Sequence, residues 1–111
     1  MNMNYRTHND EYINVNGASY KGELITTYGK LVELFGEPGK GSADGKTDVS
    51  WKIEFDNGQV GEIYNYKNGV KYGNPNIESI TEWTIGGYKS EVVKLITELL
   101  WMGVIWVDMM Q

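Results

Sequence analysis

The clearest pattern in the sequence is an alternation of apolar and polar side chains over residues 49–55. Its apolar positions are Val49, Trp51, Ile53 and Phe55. A period of two is typical of a strand that is buried on one face. The dipeptide Asn57-Gly58 favours a tight turn, and residues 60–64 supply a second strand. The pattern therefore predicts a central hairpin.

The register of this hairpin decides where Glu62 points. A two-residue turn places Ile53 opposite Glu62, which puts a carboxylate among apolar side chains at a high cost in free energy if it is unpaired. A bulge near Gly61 instead turns Glu62 outward and Ile63 inward, because one inserted residue reverses the facing of everything after it. We favour the bulge.

A first helix is predicted between two well-marked ends. Thr26 or Thr27 offers a hydroxyl to the free amides of a helix N-terminus, and apolar residues then recur at helical spacing. Gly36 suits the left-handed conformation of a helix cap, and Pro38 prevents continuation. We therefore expect a short amphipathic helix that ends at Gly36.

A second, longer helix is predicted after Ser90, with Gly103 interrupting it. The tail beyond Gly103 is apolar where chains usually become polar, and its β-branched residues favour a strand from Val104 onward. This tail predicts either a last strand of the core or an interface with a second subunit. In the second case a homodimer forms through Trp101, Val104, Trp106 and Met109.

The order of these elements indicates the fold class. Residues 12–25 and 80–85 supply further strands, whereas residues 1–11 lack apolar periodicity and are predicted to form a flexible N-terminal arm. Residues 12–111 are predicted to form a single α+β domain. It is a two-layer sandwich, with a mainly antiparallel sheet of about four to five strands and two helices on one face. The other face is left to water or to a partner.

Composition excludes several classes of function. With 111 residues the chain can close one core but cannot hold a large cofactor fold. The net charge of −5 opposes binding to nucleic acid, and the absence of cysteine excludes disulfides and thiolate chemistry. The first residues are too polar for a secretory signal, and no stretch is apolar enough to span a bilayer. We expect a protein of a reducing cytoplasm.

The residues that carry chemistry in other proteins give no catalytic or metal site here. His8 is the one imidazole and lies in the predicted arm without a second ligand, so we expect it to be exposed. The glycine-rich residues 36–45 lack the spacing of a phosphate-binding loop. Gly86-Gly87 precedes a helix and is explained better by a tight corner than by an anion site. We predict no enzyme activity and no cofactor.

Acidic residues and tyrosines concentrate in and around the hairpin. Matched potentials speed association, a carboxylate can bind arginine through both oxygens, and tyrosine is enriched where proteins bind one another. These properties predict a protein-binding surface. Its candidate residues are Asp44, Asp48, Glu54, Asp56, Glu62, Tyr64 and Tyr66.

Five segments together resemble a family of small uncharacterised bacteriophage proteins. They are Tyr12-Ile-Asn-Val-Asn-Gly17, residues 27–38, residues 47–55, Ile63-Tyr-Asn-Tyr-Lys67 and Glu82-Trp-Thr-Ile-Gly-Gly87. The resemblance implies expression in the cytoplasm of an infected bacterium, in a class where small acidic proteins often disable host defences such as CRISPR nucleases. It brings no catalytic residues with it.

The resemblance and the negative charge together give an expected function. We expect a phage-encoded, non-catalytic inhibitor that binds a host defence protein stoichiometrically, with a nucleic-acid-handling enzyme such as a CRISPR nuclease complex as the target. One alternative is an oligomer that sequesters a small nucleotide signal. Another is a structural or accessory component of the phage.

Overall fold

A computed structural model describes the backbone of residues 4–110 and the side chains of residues 4–101. Six strands form one antiparallel sheet and two helices pack on one of its faces, which confirms the predicted α+β fold. The strands are β1 Tyr5–Thr7, β2 Ser19–Ile25, β3 Gly39–Lys40, β4 Val49–Phe55, β5 Val60–Tyr64 and β6 Glu82–Gly87. The helices are α1 Tyr28–Phe35 and α2 Glu91–Met110, and two short 3-10 helices, Val70–Tyr72 and Ile77–Ser79, lie between β5 and β6.

The sheet is centred on the predicted hairpin. Its order is β1-β4-β5-β6-β2, and β3 pairs with β4 on the same side as β1. Every pairing is antiparallel. Strand β2 is therefore at one edge of the sheet, and the two short strands β1 and β3 share the other.

Helix α1 is held in place by its caps and by an aromatic cluster. Of the two predicted caps, Thr27 is the one used: its hydroxyl accepts a hydrogen bond from the Lys30 amide at 3.1 Å, and the helix ends at Gly36. The indole of the fully buried Trp51 donates to the Gly36 carbonyl at 2.7 Å. Trp51 also meets Trp83 edge to face, with ring centroids 5.4 Å apart. The end of α1 is thus fixed directly to the middle of the sheet.

Helix α2 approaches the sheet closely because three strand residues beneath it are glycines. A Cβ on Gly61 would lie 2.6 Å from Val92, and one on Gly87 would lie 2.8 Å from the same side chain. On β2, a Cβ on Gly22 would lie 3.1 Å from Val93. Atoms at these distances overlap, so larger residues would push the helix outward. The glycines set the spacing between the two layers.

The hairpin register turns Glu62 outward, as predicted, but the extra residue is not at Gly61. Glu62 pairs with Lys52, and no bulge interrupts the ladder between β4 and β5. The extra residue lies in the turn instead: the Phe55 amide donates to the Gln59 carbonyl at 2.9 Å, which leaves three residues, 56–58, between these two bonded residues. Gly58, at φ +86°, takes the left-handed conformation of a three-residue turn. The predicted bulge at Gly61 is therefore wrong in position.

The prediction of a flexible arm over residues 1–11 is wrong for Tyr5–Thr7, which form strand β1. Tyr5 pairs with Phe55 in the ladder and packs edge to face on Phe35, with ring centroids 5.4 Å apart. Its hydroxyl donates to the Leu34 carbonyl at 2.7 Å. A strand of three residues is too short to show periodicity in the sequence.

The predictions for the C-terminal tail are wrong in secondary structure. Helix α2 runs through Gly103 to Met110, so neither an interruption at Gly103 nor a strand from Val104 is present. One glycine costs a helix only about 1 kcal/mol, which the flanking residues can offset. Trp101 is exposed, and the side chains of the other proposed interface residues, Val104, Trp106 and Met109, lie outside the described residues. Within the described part, no helix has the length and apolar character to cross a membrane.

Candidate binding surface

Both helices pack on one face of the sheet, and neither covers the opposite face, which we call the open face. Side chains alternate between the faces, so the open face follows from the strand pairing. Its strand residues are Arg6, Tyr20, Glu23, Ile25, Ser50, Lys52, Glu54, Val60, Glu62, Tyr64, Glu82 and Thr84. The segment between β1 and β2 joins opposite edges of the sheet, and its Val15 lines a groove on this face with Lys52, Glu62 and Tyr64. At the β3 end, the Ser50 hydroxyl donates to the Lys40 carbonyl at 3.4 Å.

Three tyrosines lie on the open face: Tyr20 on the edge strand β2, Tyr64 on β5 and Tyr66 just after β5. Tyr64 and Tyr66 meet edge to face, with ring centroids 6.4 Å apart. The Tyr64 ring also lies against Gly86 on β6, where a Cβ would stand 3.4 Å from it. Burial raises the pKa of the Tyr64 hydroxyl, and nearby Glu62, Tyr66 and Tyr20 raise it further. Tyr20 is 60% exposed and Tyr66 48% exposed, so this aromatic group is open to a partner.

Glu62 is half-buried beside these tyrosines. Burial raises the pKa of its carboxyl, and Lys52, its neighbour across the strands, opposes that shift. The pair lines a shallow groove of about 310 Å³, together with Ser50, Tyr64 and the loop residues at 15, 40–42 and 47. Burial therefore makes the charged form of the Glu62 carboxyl less favourable in the folded protein than in water.

The two acids at the other end of β4 are already occupied by a cation from β1. The Arg6 Nε atom lies 2.6 Å from Glu11 and 3.3 Å from Glu54, and an Arg6 terminal nitrogen lies 3.6 Å from Asp56. All four side chains are partly exposed, so each pair contributes little to stability. Glu54 and Asp56 are thus partly neutralised within the protein.

The remaining predicted acids, Asp44 and Asp48, stabilise loops through hydrogen bonds. Asp44 accepts hydrogen bonds from the Ser42 hydroxyl and the Lys46 amide at 2.6 and 3.0 Å, and these bonds lower the pKa of its carboxyl. Asp48 accepts from the side-chain amide of the fully buried Asn65 at 2.8 Å. Of the seven predicted binding residues, the structure therefore brings only Glu62, Tyr64 and Tyr66 together.

A second groove on the open face was not predicted from the sequence. It measures about 300 Å³ and lies between the ends of β2, β5 and β6. Its open-face residues are Glu23, Ile25, Tyr66, Asn68, Glu82 and Thr84. Glu23 and Glu82 are far apart in the sequence and come close only because β2 pairs with β6. No local sequence pattern predicts that pairing.

His8, predicted to be exposed and without a role, holds the sheet edge between β1 and β3. Its backbone amide donates to the Lys52 carbonyl at 3.0 Å, and its ring Nδ1 lies 3.4 Å from the Lys52 amide. Ring Nε2 lies 2.9 Å from the Glu37 carbonyl, to which it donates. His8 is a structural residue rather than a catalytic candidate. Among the side chains that the structure describes, no three His, Asp or Glu residues cluster as a metal site.

Comparisons with known proteins identified no similar protein. No protein-family model matches the chain, and searches of curated proteins and of solved structures gave no match. The resemblance to small bacteriophage proteins stays a prediction.

Proposed function

We propose that this chain is a non-catalytic binding protein that engages a partner protein through its open face. The observation that supports this proposal is the group of Tyr20, Tyr64 and Tyr66 on a sheet face that no helix covers. Tyrosine combines a large apolar ring with a polar hydroxyl and often dominates the binding energy of interfaces. Exposed tyrosines spread over a sheet face suit a protein partner better than a small molecule.

The half-buried Glu62 supports the same proposal from energetics. Its carboxyl loses hydration in the folded state, and Lys52 compensates only in part. Local conflicts with stability are expected at functional sites. Glu62 gives the tyrosine group a negative charge that a basic partner residue would match.

For the identity of the partner, the proposal follows the resemblance to phage proteins. A host defence protein that handles nucleic acid has a basic cleft, and an anionic face can compete for such a cleft. The chain would then act as a stoichiometric inhibitor in the cytoplasm of an infected bacterium.

Capture with matched tyrosine variants tests the proposal. The tagged full-length protein is incubated with bacterial lysate, and bound proteins are identified by mass. Tyr20→Ser/Tyr66→Ser removes two exposed rings of the open face, whereas the control Tyr12→Ser/Tyr72→Ser removes two exposed rings outside the strands. We expect one defence component to be retained by the wild type and the control and lost by the open-face variant.

Two results would contradict the proposal. Equal capture by all three proteins would show that the open face is not the binding surface. A nucleotide that co-purifies with the wild type, detected by native mass spectrometry without any captured protein, would favour sequestration of a small ligand instead.

A further inference from the structure

The groove between β2, β5 and β6 places two carboxylates next to an aromatic ring. Ile25 pairs with Glu82, and Glu23 pairs with Thr84, so the two glutamates are diagonal neighbours on the open face. Diagonal neighbours in an antiparallel pair lie about 7–8 Å apart, within reach of one ligand between them. Tyr66 and Asn68 form the remaining wall of this groove of about 300 Å³. Its charged side chains are all acidic.

Elsewhere on the open face, a cation from the chain itself lies beside the acids. Arg6 lies among Glu11, Glu54 and Asp56, and Lys52 lies opposite Glu62. Within the described part of the chain, no lysine or arginine nitrogen comes within ion-pair distance of Glu23 or Glu82. The cation that would match these two carboxylates is therefore not supplied by the described residues.

We propose that this groove receives an arginine side chain of the partner protein. The inference rests on the proposed function, because it requires a protein on the open face. A guanidinium group donates hydrogen bonds in a planar fork, so it can engage Glu23 and Glu82 together. Its plane can stack on the Tyr66 ring, and its alkyl stem can cover Ile25, which is 80% exposed.

The protein itself places an arginine among carboxylates at the opposite edge of the open face. Arg6 is bound there by carboxylates from the segment after β1, from β4 and from the turn after β4. Tyr66 also attracts a cation already, since the Lys67 ammonium lies 5.3 Å from its ring centroid. Lysine is a weaker fit for the groove, because an ammonium group has no planar fork to span two carboxylates.

The test titrates the full-length, isotope-labelled protein with N-acetyl-arginine amide and follows backbone amides by NMR. We expect the largest shifts at Glu23, Ile25, Glu82 and Thr84, and weaker binding as salt is raised. N-acetyl-citrulline amide, which is similar in shape but uncharged, should give no such shifts. N-acetyl-lysine amide should bind more weakly than the arginine probe.

Paired variants locate the binding. Glu23→Gln/Glu82→Gln should weaken binding of the arginine probe roughly tenfold, since two charge-assisted contacts are lost. Glu33→Gln/Glu98→Gln makes the same change of net charge on exposed helix residues and should leave binding unchanged. Circular dichroism confirms that each variant is folded.

The outcomes separate this inference from the proposed function. Equal binding of the citrulline probe, or equal loss in both glutamine variants, overturns the arginine site. If that happens while partner capture still depends on Tyr20 and Tyr66, the proposed function stands without it. If the arginine probe binds as expected but the Tyr20→Ser/Tyr66→Ser variant captures the partner as well as the wild type does, the arginine site is supported and the proposed function fails.

Discussion

Gly61 lies directly beneath Val92, and a Cβ on this glycine would stand 2.6 Å from Cγ2 of the valine. Val92 is fully buried, so it cannot move aside into solvent. The pair therefore fixes how closely helix α2 can approach the sheet.

Gly61→Ala should lower the free energy of unfolding by about 1–3 kcal/mol, because the added methyl group forces the two layers apart. Urea denaturation measures the loss. Val92→Ala in the same chain should recover part of it, since the smaller side chain makes room. Gly29→Ala is the control: its Cβ would meet nothing within 4 Å, and alanine should stabilise α1 by about 0.5–1 kcal/mol. Additive losses in the double variant would contradict the proposed contact.

Asn65 should be among the most sensitive polar residues. Its side-chain oxygen accepts from the Asp48 and Val49 amides at 2.8 and 3.1 Å, and the residue is fully buried. Asn65→Leu leaves both amides without a partner and should cost about 2–4 kcal/mol in urea denaturation. Asn14→Leu, which removes a comparable bond to the Asn16 amide in an exposed turn, should change stability by less than about 0.5 kcal/mol. Equal effects of the two substitutions would exclude the assigned role of Asn65.

Glu62 should make stability depend on pH. Burial raises the pKa of its carboxyl in the folded state, so the folded protein holds this proton at a pH where the unfolded chain has lost it. Stability from this group is therefore full below the unfolded pKa and falls as the pH rises through the folded pKa. Glu62→Gln removes that dependence and should gain stability relative to the wild type as the pH rises from about 4 to 7.

Thermal unfolding at a series of pH values checks the Glu62 prediction. Glu54→Gln serves as the control, because Glu54 lies on the same face of the sheet but is paired with Arg6. A difference between Glu62→Gln and the wild type that stays constant with pH would contradict the desolvation of Glu62. At neutral pH the same variant should bind the captured partner more weakly despite being more stable.

His8 should protect the backbone of β4. Its ring lies against the Lys52 amide and donates to the Glu37 carbonyl, so it covers the sheet edge between β1 and β3. His8→Ala should speed hydrogen exchange at the Lys52 amide and cost about 1–2 kcal/mol of stability. The Ile63 amide, on the central strand β5, should exchange as slowly as before. Unchanged exchange at Lys52 would show that the ring does not protect it.

The sequence was informative where a pattern extends over many residues. The alternation at 49–55 predicts β4, and the signals at Thr26 or Thr27 and at Gly36 predict both ends of α1, with Thr27 the cap in the structure. The same rules fail for β1, where three residues are held by contacts with Phe35 and Phe55 rather than by their own pattern. They also fail at Gly103, since a single unfavourable residue is outweighed by a long helix.

The candidate surface could be predicted only in part for a related reason. Glu62, Tyr64 and Tyr66 are close in sequence, so the hairpin alone brings them together. Glu23 and Glu82 meet only because β2 joins the sheet beside β6, and strand order is not encoded in local periodicity. The ion pair of Arg6 with Glu54 could not be predicted for the same reason, since it depends on β1 pairing with β4.

The pairing of Tyr5 with Phe55 also bears on how the protein is made. The ribosome releases β1 well before β4, so the earlier strand has no template until the later one emerges. Closing so long a loop costs entropy, which favours assembly of the local β4–β5 hairpin first. Strand β1 is therefore added late, and until then the outer edge of β4 is exposed to chaperones and to neighbouring nascent chains.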